Sequence, residues 1–111
     1  MGVFTNSLKT FKSKITGKVK TYKVNNAVWL YMESDFGIKQ GDYGTLLEKE
    51  EVMTLSKLAV CVLKANKIET TLEEVLENTN LNILYEFVNA YGTLALNLDE
   101  LDKDSKEEKN A

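Results

Sequence analysis

Histidine, arginine and proline are all missing from these 111 residues, and cysteine occurs once. Without histidine there is no Ser-His or Cys-His pair and no imidazole metal site. One cysteine excludes an internal disulfide and a thiolate zinc cluster. Without arginine, the usual bidentate reader of guanine and phosphate is missing. No run approaches the roughly 18 consecutive apolar residues of a membrane span. The N-terminus lacks the continuous apolar stretch of a secretory signal. Met1-Gly2 is followed at position six by Asn6, where myristoylation takes Ser or Thr. The expectation is a soluble, intracellular, non-catalytic chain with no cofactor, no metal and no membrane partner.

What is present fits an ordinary globular domain, with 43% apolar and 28% charged residues. A chain of this length makes one domain and buries about two-thirds of its unfolded surface. The net charge of −3 hides an asymmetry. Residues 1–32 hold six Lys (9, 12, 14, 18, 20 and 23) and no acid, giving +6. Residues 33–98 hold eleven acids and five Lys, giving −6, and residues 99–111 hold six acids and three Lys, giving −3.

Residues 1–13 form an arm with no firm assignment. Lys14–Val24 is rich in Ile, Thr, Val and Tyr, with Gly17-Lys18 as a turn, and reads as a β-hairpin. A hairpin is marginal alone, so it must pack on the body or pair with another chain's sheet edge. Asn25 or Asn26 caps a helix carrying Ala27, Val28, Trp29, Leu30, Tyr31 and Met32. Phe36–Gly44 holds three glycines without periodicity and reads as a long loop. Thr54 is the expected N-cap of the next helix, although Glu48, Glu50 and Glu51 allow an earlier start. Leu55, Leu58, Ala59, Val62 and Leu63 form its core-facing stripe, which Val60 and Cys61 widen, so it should be the most buried helix. Thr70 or Thr71 opens a third helix, with Thr71 and Glu74 forming a capping box, and Asn78-Thr79-Asn80 ends it. A fourth carries Leu81, Leu84, Val88, Tyr91, Ala95 and Leu98 at 3-4-3-4-3 spacing, an a/d seam with Phe87 and Leu94 on its shoulder. The seam is too short to argue a coiled coil, so core packing is expected, with self-association open.

The predicted architecture is α+β: a small N-terminal β-hairpin (14–24), a mainly α-helical body of about four helices (26–98), and a disordered acidic tail (99–111). Residues 1–98 form a single domain.

Few residues stand out as sites. Cys61 sits among Val60, Val62 and Leu63, without the cationic setting that activates a thiol, and reads as an inert core residue. Glu48, Glu50, Glu51, Glu73, Glu74 and Glu77 fall in or beside helix starts, where acids complement the macrodipole. Asp35 and Asp42 do not match calcium-loop spacing. The Lys-rich hairpin, interleaved with Phe11 and Tyr22, supports an alternative reading as a small nucleic-acid-associated adaptor. The same lysines suit better the solvent face of an edge hairpin, or an acidic protein partner. Trp29, Tyr31, Phe36 and Tyr43 crowd the first helix and the glycine-rich loop, and large aromatics anchor protein partners. With Leu84 and Tyr91 of the seam they make up the expected partner-binding set.

The order of elements resembles a family. The hairpin is followed by Ala27-Val28-Trp29-Leu30-Tyr31-Met32-Glu33, then a loop, then Leu55–Asn66. After these come Thr71-Leu72-Glu73-Glu74-Val75-Leu76 and Leu84–Tyr91. Over roughly residues 14–98 this is similar to the small tail assembly chaperones of long-tailed (siphovirus-type) phages of Gram-positive bacteria. The resemblance implies a non-catalytic protein of the host cytoplasm, absent from the mature virion. Such a protein binds the tape measure protein, keeps it soluble during tail assembly, and tends to self-associate. The basic arm has no counterpart in the family pattern. The family's genes often make a longer product by programmed frameshift. Glu108-Lys109-Asn110 can be encoded GAA AAA AAC, which contains the slippery heptamer A-AAA-AAC, so a frameshift-extended form is a further expected partner.

Overall fold

Among the described residues, a two-stranded antiparallel sheet leans on a bundle of five helices. The computed structural model describes residues 7–95. The expected tail at 99–111, Leu98 of the seam and the proposed slippery site therefore lie outside the described residues. Strand β1 (Thr10–Ser13) pairs with β2 (Lys20–Lys23) in the register Thr10↔Lys23, Phe11↔Tyr22, Lys12↔Thr21 and Ser13↔Lys20. The first strand thus lies earlier than the 14–24 hairpin, inside the stretch set apart as an arm. The turn sits where Gly17 suggests it, with its N–H donating to the Lys14 carbonyl at 2.8 Å and φ at +95°. Side chains alternate across a strand, so Phe11 and Tyr22 share one face, and both are buried. That face needs an apolar partner. Phe87 supplies it, with ring centroids 5.4 Å from both Phe11 and Tyr22.

Helix α1 (Ala27–Phe36) starts where the Asn25 carboxamide accepts the Ala27 N–H at 3.0 Å, so Asn25 rather than Asn26 supplies the cap. It stops at Gly37, whose left-handed backbone (φ +67°) lets its N–H reach the Glu33 carbonyl while Ile38 N–H reaches Met32. The glycine-rich stretch is shorter as a loop than its composition implies. A single 3-10 turn (Gln40–Asp42) leads straight into α2 (Tyr43–Lys49), a helix absent from the sequence reading. Among the described residues the body therefore has five helices.

Helix α3 (Glu51–Ala65) is the central element, buried on nearly every side and packed against α1, α2, α4 and α5. Ten of its fifteen residues are buried, the expected stripe and Val60 and Cys61 among them. It begins before Thr54. That hydroxyl donates to the Leu46 carbonyl at 3.1 Å and ties α3 to α2 instead of capping α3. Outside the core, Lys64 pairs with Asp35 at 2.6 Å and lies over the Tyr31 ring at 4.8 Å, clipping α1 to α3. At the end of α3, Asn66 clamps the hairpin. Its Oδ1 accepts the Lys23 N–H at 2.7 Å, and its Nδ2 donates to the Lys23 carbonyl at 3.1 Å.

Helix α4 (Leu72–Asn78) carries the expected cap, with Thr71 Oγ1 accepting the Glu74 N–H at 3.1 Å. The reciprocal half of the box differs, because the Glu74 carboxylate accepts from the Thr70 hydroxyl. Helix α5 (Leu81–Ala95) is capped by Asn80, whose Oδ1 accepts the Ile83 N–H at 2.9 Å. Leu84, Val88 and Tyr91 of the seam are buried, but Leu81 is exposed. Phe87, expected on the shoulder, is a core residue because the hairpin docks on it. Among the described residues no helix is long and apolar enough to cross a membrane.

Candidate functional site

Helix α1 has six apolar residues in succession, Ala27–Met32, yet only Val28 and Met32 are buried. Such a helix leaves apolar surface on its flanks. Leu30 is 65% exposed at its outer face. On one flank Trp29 meets Tyr43 edge-on, with ring centroids 5.6 Å apart and planes at 82°. Tyr43 stands at the first position of α2, so the unexpected helix is what brings this ring to α1. The two rings, with Tyr91, Leu58, Val88 and Gly92, line an apolar recess of about 130 Å³. Gly92 lines it on the α5 side, and a Cβ there would meet no atom within 4 Å, so there is room for a larger side chain at this position.

Two phenols of the recess are held neutral. Burial pushes Tyr43 up to about 12, and nearby Tyr91 and Tyr85 push in the same direction. Burial likewise raises Tyr91 to about 12, against the lowering effect of its hydrogen bond with Trp29. Among the described residues the buried Tyr43 hydroxyl has no hydrogen-bond partner. These rings can offer apolar area and ring edges rather than acid–base chemistry.

Of the six residues expected to bind a partner, Trp29, Tyr43 and Tyr91 converge here. Tyr31 and Phe36 do not line the recess; they lie beneath the ammonium groups of Lys64 and Lys57. Leu84 is 1% exposed and faces the core. Cys61 is buried, and desolvation raises its thiol to about 12, with Asp35 adding to the rise and Lys64 opposing it. No group of three potential metal ligands gathers among the described residues. On the hairpin, Phe11 and Tyr22 are turned into the core, so they are not stacking platforms beside the lysines.

A second concavity was not foreseen. The hairpin turn and α4 face each other across an open groove of about 550 Å³, floored by Leu63, Ile68, Val75 and Ile83. Its residues come from five separate segments, and no local pattern announces their meeting.

No family model matches the chain, and no curated protein or solved structure matches it.

Proposed function

We propose that this chain is a tail assembly chaperone of a siphovirus-type phage, acting without catalysis in the host cytoplasm. It binds the tape measure protein and keeps it soluble until the tail tube forms. The observation that supports this reading is the aromatic recess: Trp29, Tyr43 and Tyr91 meet around an apolar hollow beside the exposed Leu30. A holding protein needs such a surface, because transient burial of a client's apolar stripe is its whole task. The lysine-only basic arm and acidic remainder keep the complex highly charged and in solution. The same reading includes self-association and a frameshift-extended form as partners. An unbroken A-AAA-AAC across codons 108–110 of the gene is the test of the latter, and synonymous codons that break it remove this site.

The test of the client is co-expression with the tape measure protein of the same phage. The wild-type chain should raise the client's soluble fraction and co-purify with it. Gly92→Leu should fill the recess and weaken capture by about tenfold or more, while replacing a mid-helix glycine gains up to about 1 kcal/mol of helix stability. No gain in solubility and no co-purification with wild type would sink the proposal. Full capture by a folded Gly92→Leu protein would remove the recess from it.

A further inference from the structure

The groove between the hairpin turn and α4 has walls of opposite charge. Lys14 and Lys20 stand on the hairpin side, and Glu69 and Glu74 on the other. No ion pair between described residues joins them, so the walls are not latched together. The floor is aliphatic, and Ile83 remains 37% exposed at its edge. Val19 adds a further exposed apolar side chain at the hairpin tip. A dry cavity of roughly 150 Å³ holds one benzene-sized group. A groove of about 550 Å³ therefore takes the apolar side chains of about two helical turns.

The backbone of the walls narrows the choice of occupant. In the hairpin turn the Gly17 N–H is already given to Lys14. In α4 the Glu74 and Val75 N–H groups are taken by Thr71, and the Glu74 and Val75 carbonyls accept from Asn78 and Thr79 side chains. The Glu74–Val75 stretch of α4 therefore offers no row of free amides and carbonyls to an extended strand. An occupant that satisfies its own backbone has no such need.

We propose that this groove docks an amphipathic helix of a partner protein. The helix lays an aliphatic stripe on half-buried Ile68 and on Ile83, above the buried Val75, sets carboxylates beside Lys14 and Lys20, and sets ammonium groups beside Glu69 and Glu74. The chain's own tail from Asp99 onward has the mixed charge but only Leu101 as a large apolar residue, so it lacks the stripe. This surface is separate from the aromatic recess and does not depend on the client proposed for it.

The test uses the full chain and two labelled peptides of about 18 residues, long enough to hold a helix. The first carries Leu at i, i+3, i+4 and i+7, with Glu along one flank of the stripe and Lys along the other. The second has the same composition with the Leu positions scrambled. The striped peptide should bind and shift the amide resonances of Ile68, Val75 and Ile83, and the scrambled one should not. Ile83→Glu, a change at a partly exposed position whose fold is checked by circular dichroism, should weaken binding about tenfold or more. Lys14→Glu with Lys20→Glu should weaken it roughly threefold to tenfold, and a peptide with Lys on both flanks should recover the loss. The proposal is overturned by absent binding, by equal binding of the scrambled peptide, or by undiminished binding to folded Ile83→Glu. Shifts confined to Trp29, Tyr43 and Tyr91 would likewise overturn it and assign the helix to the recess.

Discussion

At Phe87 three rings meet, because Phe11 and Tyr22 both approach it edge-on from the hairpin. One side chain thus joins sheet to bundle. Phe87→Ala should cost about 3–5 kcal/mol through the cavity and the lost ring contacts, read as a lower urea midpoint. The heptad count put Phe87 on the shoulder of the seam, since nothing in α5 alone shows that a hairpin will cover it. Cys61 was legible from its neighbours, and the structure buries it as expected. Cys61, Tyr43 and Tyr91 all have values raised to about 12 by burial. The fold holds these acids neutral, so their burial contributes fully below the ordinary thiol and phenol ranges, near 8.5 and 10. That contribution declines as pH climbs from there toward about 12. Phenolate absorbance of the buried tyrosines should accordingly appear together with loss of helical circular dichroism. Their ionisation at the ordinary phenol value in an intact fold would contradict this.

Among the elements, α3 and α4 were the most readable. A continuous aliphatic stripe and a Thr-Leu-Glu-Glu cap are local signals, and both elements depend on them. Helix α4 is only seven residues long, and isolated helices of that length do not persist. Thr71→Ala removes its side-chain cap and should cost about 1 kcal/mol, seen as faster hydrogen exchange at Glu74 and Val75. Unchanged exchange there would mean that packing of Val75 alone holds the helix. Helix α2 was missed because Gly41 and Gly44 break the pattern. Its stability comes from outside its own sequence: Tyr43 against Trp29, half-buried Leu46 and Leu47, and the Thr54 hydroxyl on the Leu46 carbonyl. Propensity is a weak guide where tertiary contacts of this kind exist. The first strand was placed late for a similar reason. The β-branched residues cluster after Lys14, but the register is set by Phe11 opposite Tyr22.

On the scale of the whole molecule, hairpin and helices share one core running from Phe11 to Tyr91. Removing residues 7–24 should therefore expose the aromatic face of Phe87 and abolish cooperative unfolding, monitored by circular dichroism in urea. A chain ending after residue 98 retains that whole core. Its unfolding free energy should stay within about 0.5 kcal/mol of the full chain's. A larger loss would show that the acidic segment packs on the body.

The sequence by itself determined the class of fold, the burial of α3, the Thr71 cap of α4, and the exclusions that follow from lacking histidine and arginine. All of these are set by residue type or by short-range periodicity, which survive without any knowledge of distant neighbours. Only the tertiary structure decided which aromatics meet. Trp29, Tyr43 and Tyr91 lie on three helices, and it is the turn at Gln40–Asp42 that carries Tyr43 back to α1. The charged groove was equally invisible in the sequence. Its walls are built by the hairpin turn and α4, whose distance in space depends on Phe11 and Tyr22 docking on Phe87 and on Asn66 clamping Lys23.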